Sequence, residues 1–511
     1  MKAMSSQAAR RDPSRDTDLL LVPFRDQLVR PPVLRSAAGD DVDRYRIEVG
    51  AAHTRLHSDL PDTTLWTYNG VYPGPTIEAR RDRPVEIEWV NSLADANHPI
   101  RTFIGNPSPN ETSQSRVGRD ATGHWLNRVS LPSWVITHLH GAVVPAQSDG
   151  WPDNGMLPGM SITSRYPNRQ RAALLWYHDH AMGQTAQNVY AGLAGLYIVR
   201  DDEEAALSLP SEEHELPLLL QDRNLDLDAD GTPNGALLYK LDQPNGEYYG
   251  PYTLVNGTVW PFVEVPAVPH RLRIVNGSNA RFYRLTLGDE TGCVEHSNLL
   301  TLIGNDGGLL AAPVPVRGSL LLAPGERVDV IADFRECMGH RLVLRNDAPA
   351  PFPSGHAPSC AFVMQFRVAA PKTSAAIALP TVLSRIEPIA IEQAALTRVI
   401  TLQEDPANPG MMRLNGKGFH DGVDEMPRLG DIEIWEFRNP TDDSHPMHLH
   451  LVAFQVLSRA LLDDDNPSAE PLTISDAERG WKDVVCCHPG QATRIAARFV
   501  PYTGQYMYHC H

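Results

Sequence analysis

Arg413-Leu414-Asn415-Gly416, followed by Asp431-Ile432-Glu433-Ile434-Trp435-Glu436-Phe437-Arg438-Asn439, carries the fold. It reads as an Asn-Gly turn and then a strand whose apolar and polar residues alternate with period two, closed by asparagine. The same unit occurs twice upstream. Leu254-Val255-Asn256-Gly257 precedes Val263-Glu264-Val265 and Arg271-Leu272-Arg273-Ile274-Val275-Asn276, and Trp66-Thr67-Tyr68-Asn69-Gly70 precedes Val85-Glu86-Ile87-Glu88-Trp89-Val90-Asn91. Three copies of one β-unit in 511 residues predict three related β-sandwich domains. With 43 prolines and 37 glycines the chain is rich in turns, which favours an all-β reading. Expected segments are a tail and surface stretch (1–35), domain 1 (36–204), domain 2 (205–372), and a linker with domain 3 (373–511).

Outside the repeat, the histidines are unevenly spent. The 20 histidines make four His-x-His pairs, His138/His140, His178/His180, His448/His450 and His509/His511, where chance predicts roughly one. On a strand, alternate side chains share a face, so each pair presents two imidazoles side by side. His445 stands just before the third pair, and Cys510 sits inside the fourth. A thiolate joined by imidazoles suits an electron-transfer copper. The Cys-x-x-Cys knuckles of structural zinc are absent from the sequence.

The stretches His138-Leu139-His140-Gly141, Trp176-Tyr177-His178-Asp179-His180, His445-Pro446-Met447-His448-Leu449-His450 and His509-Cys510-His511 together resemble the four copper motifs of the three-domain multicopper oxidases. The resemblance implies three consecutive cupredoxin-like Greek-key domains. It also implies one type 1 copper, one type 2 copper and a type 3 pair. By the family's pattern His445 and Cys510 are type 1 ligands, and His138 and His448 are type 2 ligands. His140, His178, His180, His450, His509 and His511 are type 3 ligands. Asp149, in Ser148-Asp149-Gly150-Trp151, matches an acid that helps deliver protons for oxygen reduction. The implied reaction takes single electrons from a substrate at type 1 and reduces dioxygen to water at the trinuclear cluster. Domain 2, without a His-x-His pair, is expected to be a spacer shaping the substrate face.

The family continues past His-Cys-His with a second type 1 histidine and an axial ligand. The third domain is therefore expected to lack its C-terminal end, and the chain as given to bind copper poorly. Phe24 to Leu34, Leu65 to Gly70 and Asp222 to Asp226 resemble the phenoxazinone synthase or o-aminophenol oxidase branch, with spore-coat-type bacterial laccases next, so the expected partners are dioxygen and a small phenol or aminophenol. The competing expectations are a metal-ion oxidase for Cu(I) or Mn(II), for which Met156, Met160 and Met411-Met412 look too scattered, and a copper-free scaffold.

A net charge of −17 argues against nucleic acid and anionic membranes as partners. Arg10-Arg11 is not followed by an apolar segment, so no export signal is expected and the cytoplasm is the expected compartment. The six cysteines show no disulfide-framework spacing.

Overall fold

The computed structural model describes residues 20–35, 41–93, 98–104, 131–228, 231–241, 246–292, 294–358, 361–371, 379–405, 412–423, 425–462 and 471–511. Arg10-Arg11, most of the Ile100–Ser133 loop and of the linker after Ala369, His124, Met411, Cys293 and Cys360 lie outside these residues.

The repeat is visible atom by atom. Asn69, Asn256 and Asn415 all adopt positive φ, at 54°, 48° and 52°, as the first residue of an Asn-Gly hairpin turn does. Each side-chain oxygen accepts a 2.8 Å hydrogen bond from the backbone N–H of a neighbouring strand, at Glu48, Leu219 and Thr401. The strand-ending asparagines are equally alike. Asn91, Asn276 and Asn439 each accept from the N–H two residues on and donate to two carbonyls. All three are fully buried, so the side chain satisfies backbone groups that water cannot reach.

Each unit pairs two sheets over an apolar core. In the first, the sheet of Val33–Arg35, Gly74–Arg80, Ala194–Arg200, Ala173–Asp179 and Thr137–His140 faces that of Thr63–Tyr68, Asp43–Thr54, Val85–Asn91 and Ser161–Tyr166. Trp66, Trp89 and Tyr177 lie in its core. The second packs a seven-stranded sheet on a five-stranded one around Leu218, Ile274, Leu322 and Phe366. The third sets a six-stranded sheet, with Ile432–Asn439 and Gln491–Arg498 inside it, against the short strands Val484–Cys487, His445–Leu449 and Tyr508–Cys510. These are cupredoxin-like sandwiches. The segment before Val33 runs along the second unit, with Gln27 bridging Phe262 and the Phe24 carbonyl accepting from Arg367. Among the described residues no helix is long and apolar enough to cross a membrane.

Period two misleads most in the second unit. Alternation predicts an exposed polar face for Arg271 and Arg273, yet every residue of Pro269–Asn276 is buried. The first unit covers that face, and Arg200, Glu204, Glu215 and Asp329 close an ion network around the two arginines. Burial pushes the Glu215 carboxyl up, but the Arg273 and Arg200 guanidiniums outweigh it and hold it at about 2, against an ordinary 4.5. A depressed carboxyl stabilises the fold fully above its unfolded value and loses that contribution as pH falls toward the folded one. We expect on the order of 3 kcal/mol to disappear between pH 4.5 and 2. Denaturant unfolding across that window measures it, and Glu215→Gln should flatten the slope.

Candidate metal centre

Two ladders set the histidines in place. His138 pairs directly with His178 across neighbouring strands of the first unit, and His448 pairs with His509 in the third. The two ladders meet face to face: His138 stacks on His450 with ring centroids 4.0 Å apart, and His140 on His448 at 3.8 Å. His180 lies 5.1 Å from His509, and His511 lies 4.9 Å from His140, between centroids. All eight cluster histidines predicted from the sequence thus share one site at the seam of the first and third units.

The hydrogen bonds decide which nitrogen of each ring keeps a lone pair. Nδ1–H donates to a backbone carbonyl in His138 (Asp149, 2.6 Å), His178 (Asp179, 2.8 Å), His448 (Asp483, 2.8 Å) and His509 (Cys510, 3.0 Å). In His450 it donates to the Asp149 carboxylate at 2.8 Å, and in His140 Nε2–H donates to Asp483 at 3.1 Å. The opposite nitrogens of His138, His140, His178 and His448, with Nδ1 of His180 and Nε2 of His511, are buried and have no partner. His450 Nε2 and His509 Nε2, both left as acceptors, face each other at 3.2 Å, and His180 Nε2 faces His509 Nε2 at 3.3 Å. Two lone pairs repel at that distance unless a cation lies between them. Two metal–nitrogen bonds of ~2.0 Å meeting near the tetrahedral angle put their nitrogens about 3.3 Å apart.

Burial also works against protonating seven of the eight rings. It pushes His509 down to about 3 and His178 to about 4, and it lowers His138, His140, His180, His448 and His511 well below the ordinary value, with the neighbouring rings adding to it. Neutral imidazoles with inward lone pairs are what a metal needs.

A second site lies on the other face of the Tyr508–Cys510 strand. The Thr441 hydroxyl donates to Asn439 and so accepts from His445 Nε2–H at 2.8 Å, which leaves His445 Nδ1 free, 3.6 Å from Cys510 Sγ. Bonds of ~2.3 Å to sulfur and ~2.0 Å to nitrogen span that gap near a tetrahedral angle. Burial pushes the Cys510 thiol up, so a thiolate there needs a cation beside it. Alternation along the strand sends Cys510 to this site and His509 and His511 to the cluster.

Multicopper oxidase family profiles match residues 51–204, in the stretches 51–102 and 101–204, and residues 392–511. A laccase of Bacillus subtilis is 36% identical over 532 aligned residues and one of Bacillus stratosphericus 36% over 525, each alignment covering 96% of both chains. This chain belongs to the multicopper oxidases. Among solved structures, the McoA multicopper oxidase of Aquifex aeolicus is similar over 95% of both chains, with a TM-score of 0.72 and 28% identity. A multicopper oxidase of Pediococcus acidilactici covers 96% of this chain and 89% of its own, with a TM-score of 0.74 and 27% identity.

As a multicopper oxidase the protein uses copper of types 1, 2 and 3, with dioxygen and a reducing substrate. The donor set fits: eight imidazoles with inward lone pairs, and a thiol beside a free His445 Nδ1. Asp149 holds two rings, His138 through its carbonyl and His450 through Oδ2, while Oδ1 has no donor. Asp179 points away from the cluster and takes N–H bonds from Ile136, Ala181 and Asn188, with burial pushing its carboxyl up to about 7.

Three contributors escape a reading of motifs. Asp483 and Arg327 stand in no His-x-His stretch, and Thr441, which fixes the His445 tautomer, lies four residues before it. A cavity of about 960 Å³ opens on Cys510, His509 and His511. Trp151, Phe419, Tyr502 and Tyr506 line it, as do four methionines from separate stretches, Met182, Met412, Met426 and Met507.

Proposed function

We propose that the protein oxidises small phenols or aminophenols, with electrons entering at a type 1 copper held by His445 and Cys510. The trinuclear copper site is then held by His138 and His448 (type 2) and by His140, His178, His180, His450, His509 and His511 (type 3). The supporting observation is the 960 Å³ cavity beside Cys510, whose apolar and aromatic walls suit a flat aromatic ring. Copper supplies the one-electron steps and the reduction of dioxygen to water. The protein's part is to order these steps in space. Cys510 belongs to one site while its chain neighbours belong to the other, so the electron path is a few covalent bonds. Asp149 is in this reading the carboxylate that hands protons toward the cluster, since Oδ2 is committed to His450 and Oδ1 is unpartnered.

A metal-ion oxidase is the second reading, favoured by the four methionines that line the same cavity, because thioethers suit Cu(I). Oxygen uptake by the copper-loaded protein with o-aminophenol and with Cu(I) separates the two. Turnover of o-aminophenol that survives changing Met412 and Met426 to leucine supports the first. Uptake with Cu(I) alone, lost in those variants, supports the second.

A further inference from the structure

The middle unit supplies none of the cluster histidines, but it is not remote from them. The turn Ala323–Arg327 lies against the site. A Cβ on Gly325, whose φ is +79°, would meet the His511 ring at 2.9 Å and His140 Cε1 at 3.1 Å. Two residues on, Arg327 is buried in the seam of all three units. Its fork takes both oxygens of Asp483, Nη1 to Oδ1 at 2.6 Å and Nη2 to Oδ2 at 2.5 Å. Arg327 also donates to the carbonyls of Leu174, Gly325 and Asp306, so its own position is over-determined.

Asp483 in turn holds one ring from each outer unit. Its Oδ1 accepts from His140 Nε2–H, and its backbone carbonyl accepts from His448 Nδ1–H. Those two rings are stacked, only 12° from parallel. The first unit leaves room for the arrangement at Gly141. A Cβ there would fall 2.5 Å from Arg327 Nη2 and 2.7 Å from Asp483 Oδ2, so any larger residue drives the fork and the carboxylate apart.

We infer that Arg327 is a positioning residue of the trinuclear site, acting through the Asp483 carboxylate to fix the tautomer and tilt of His140 and, through that ring's stacking, to seat His448. A two-point guanidinium–carboxylate fork sets orientation as well as charge, and a ligand's outer partner typically tunes metal affinity 10–100-fold. The middle sandwich is therefore part of the metal site's frame, which extends the spacer role expected from the sequence. This inference rests on the trinuclear reading above.

The test uses Arg327→Lys and Arg327→Met in the full chain, with His448→Ala and Glu326→Gln beside them. Glu326 joins the same seam, paired with Lys482 at 3.0 Å and accepting from the Ala323 N–H, an acceptor that glutamine keeps, and it has no hydrogen bond or ion pair to Asp483 or a cluster ring. The readouts are copper retained against a graded chelator and the electron paramagnetic resonance spectrum of type 2 copper. Arg327→Lys keeps the buried positive charge but loses the fork. It is expected to fold, to hold copper ~10–100-fold more weakly, and to show altered type 2 parameters, while Glu326→Gln leaves both unchanged. If Arg327→Met does not fold, Arg327→Lys decides. Parent-like affinity and spectrum in Arg327→Lys, with copper lost in His448→Ala, overturn the inference and leave the cluster standing. Parent-like copper binding in His448→Ala overturns the trinuclear reading itself. An equal loss in Glu326→Gln assigns the effect to seam packing and overturns the inference.

Discussion

His450→Ala is expected to lower copper retention by more than the ~10–100-fold typical of changes outside the ligand shell, and to take oxygen uptake to background. His450 belongs to two groups of donor atoms at once, one with His138 and His448 and one with His180 and His509. Its loss therefore opens both. It also removes the stacking partner of His138 and the donor to Asp149. The comparison variant is Asp149→Asn, which keeps an oxygen acceptor for His450 Nδ1–H but no carboxylate. It should retain the parent's copper and slow oxygen reduction. Copper analysis and oxygen-electrode rates on the two proteins separate ligation from proton supply. Full copper in His450→Ala contradicts the cluster assignment, and an unchanged rate in Asp149→Asn contradicts the proton role.

Lys482→Met is expected to cost about 3–5 kcal/mol, the usual result of leaving buried charges without their partner. Lys482 Nζ lies 2.8 Å from Asp306 and 3.0 Å from Glu326, both reaching across from the middle unit. Burial alone disfavours the ammonium, yet the two carboxylates outweigh it and hold the Lys482 pKa above its ordinary value. Methionine matches the stem and abandons both acids. Denaturant unfolding followed by tryptophan fluorescence measures the loss. Adding Glu326→Gln removes one of the stranded charges and should recover part of it. A Lys482→Met protein as stable as the parent would mean that water reaches the seam.

The asparagine repeat made the three sandwiches legible because each Asn has a task that no other residue does as well. It either enters the left-handed region at the turn or caps the strand end with three bonds. The cluster was legible for a related reason: His-x-His on a strand is the shortest way to aim two imidazoles at one point. Arg327 and Asp483 were not, because a salt bridge joining residues 156 apart leaves no local trace. The methionines show the same limit. Of those weighed along the chain only Met412 lines the cavity and Met156 is core, while Met182, Met426 and Met507 reach the cavity from other stretches. The covered face of Arg271 and Arg273 misled for another reason, since alternation describes one sheet and cannot anticipate a neighbouring unit packed on its outer side.

The split of the ligand set between the first and third sandwiches has a consequence for biosynthesis. At a ribosomal rate of about 5–20 residues per second, the interval between His180 and His445 lasts tens of seconds. During it the first sandwich can fold while exposing a half-site of four imidazoles, open to whatever soft or borderline cation is nearby. Only docking of the third sandwich converts that half-site into an enclosed cluster. We expect metal selection to be tied to that docking, so that the moment of copper delivery matters alongside the affinity of the finished site. Nascent chains stalled before residue 445 should bind and exchange divalent metals rapidly, whereas released chains should exchange them slowly.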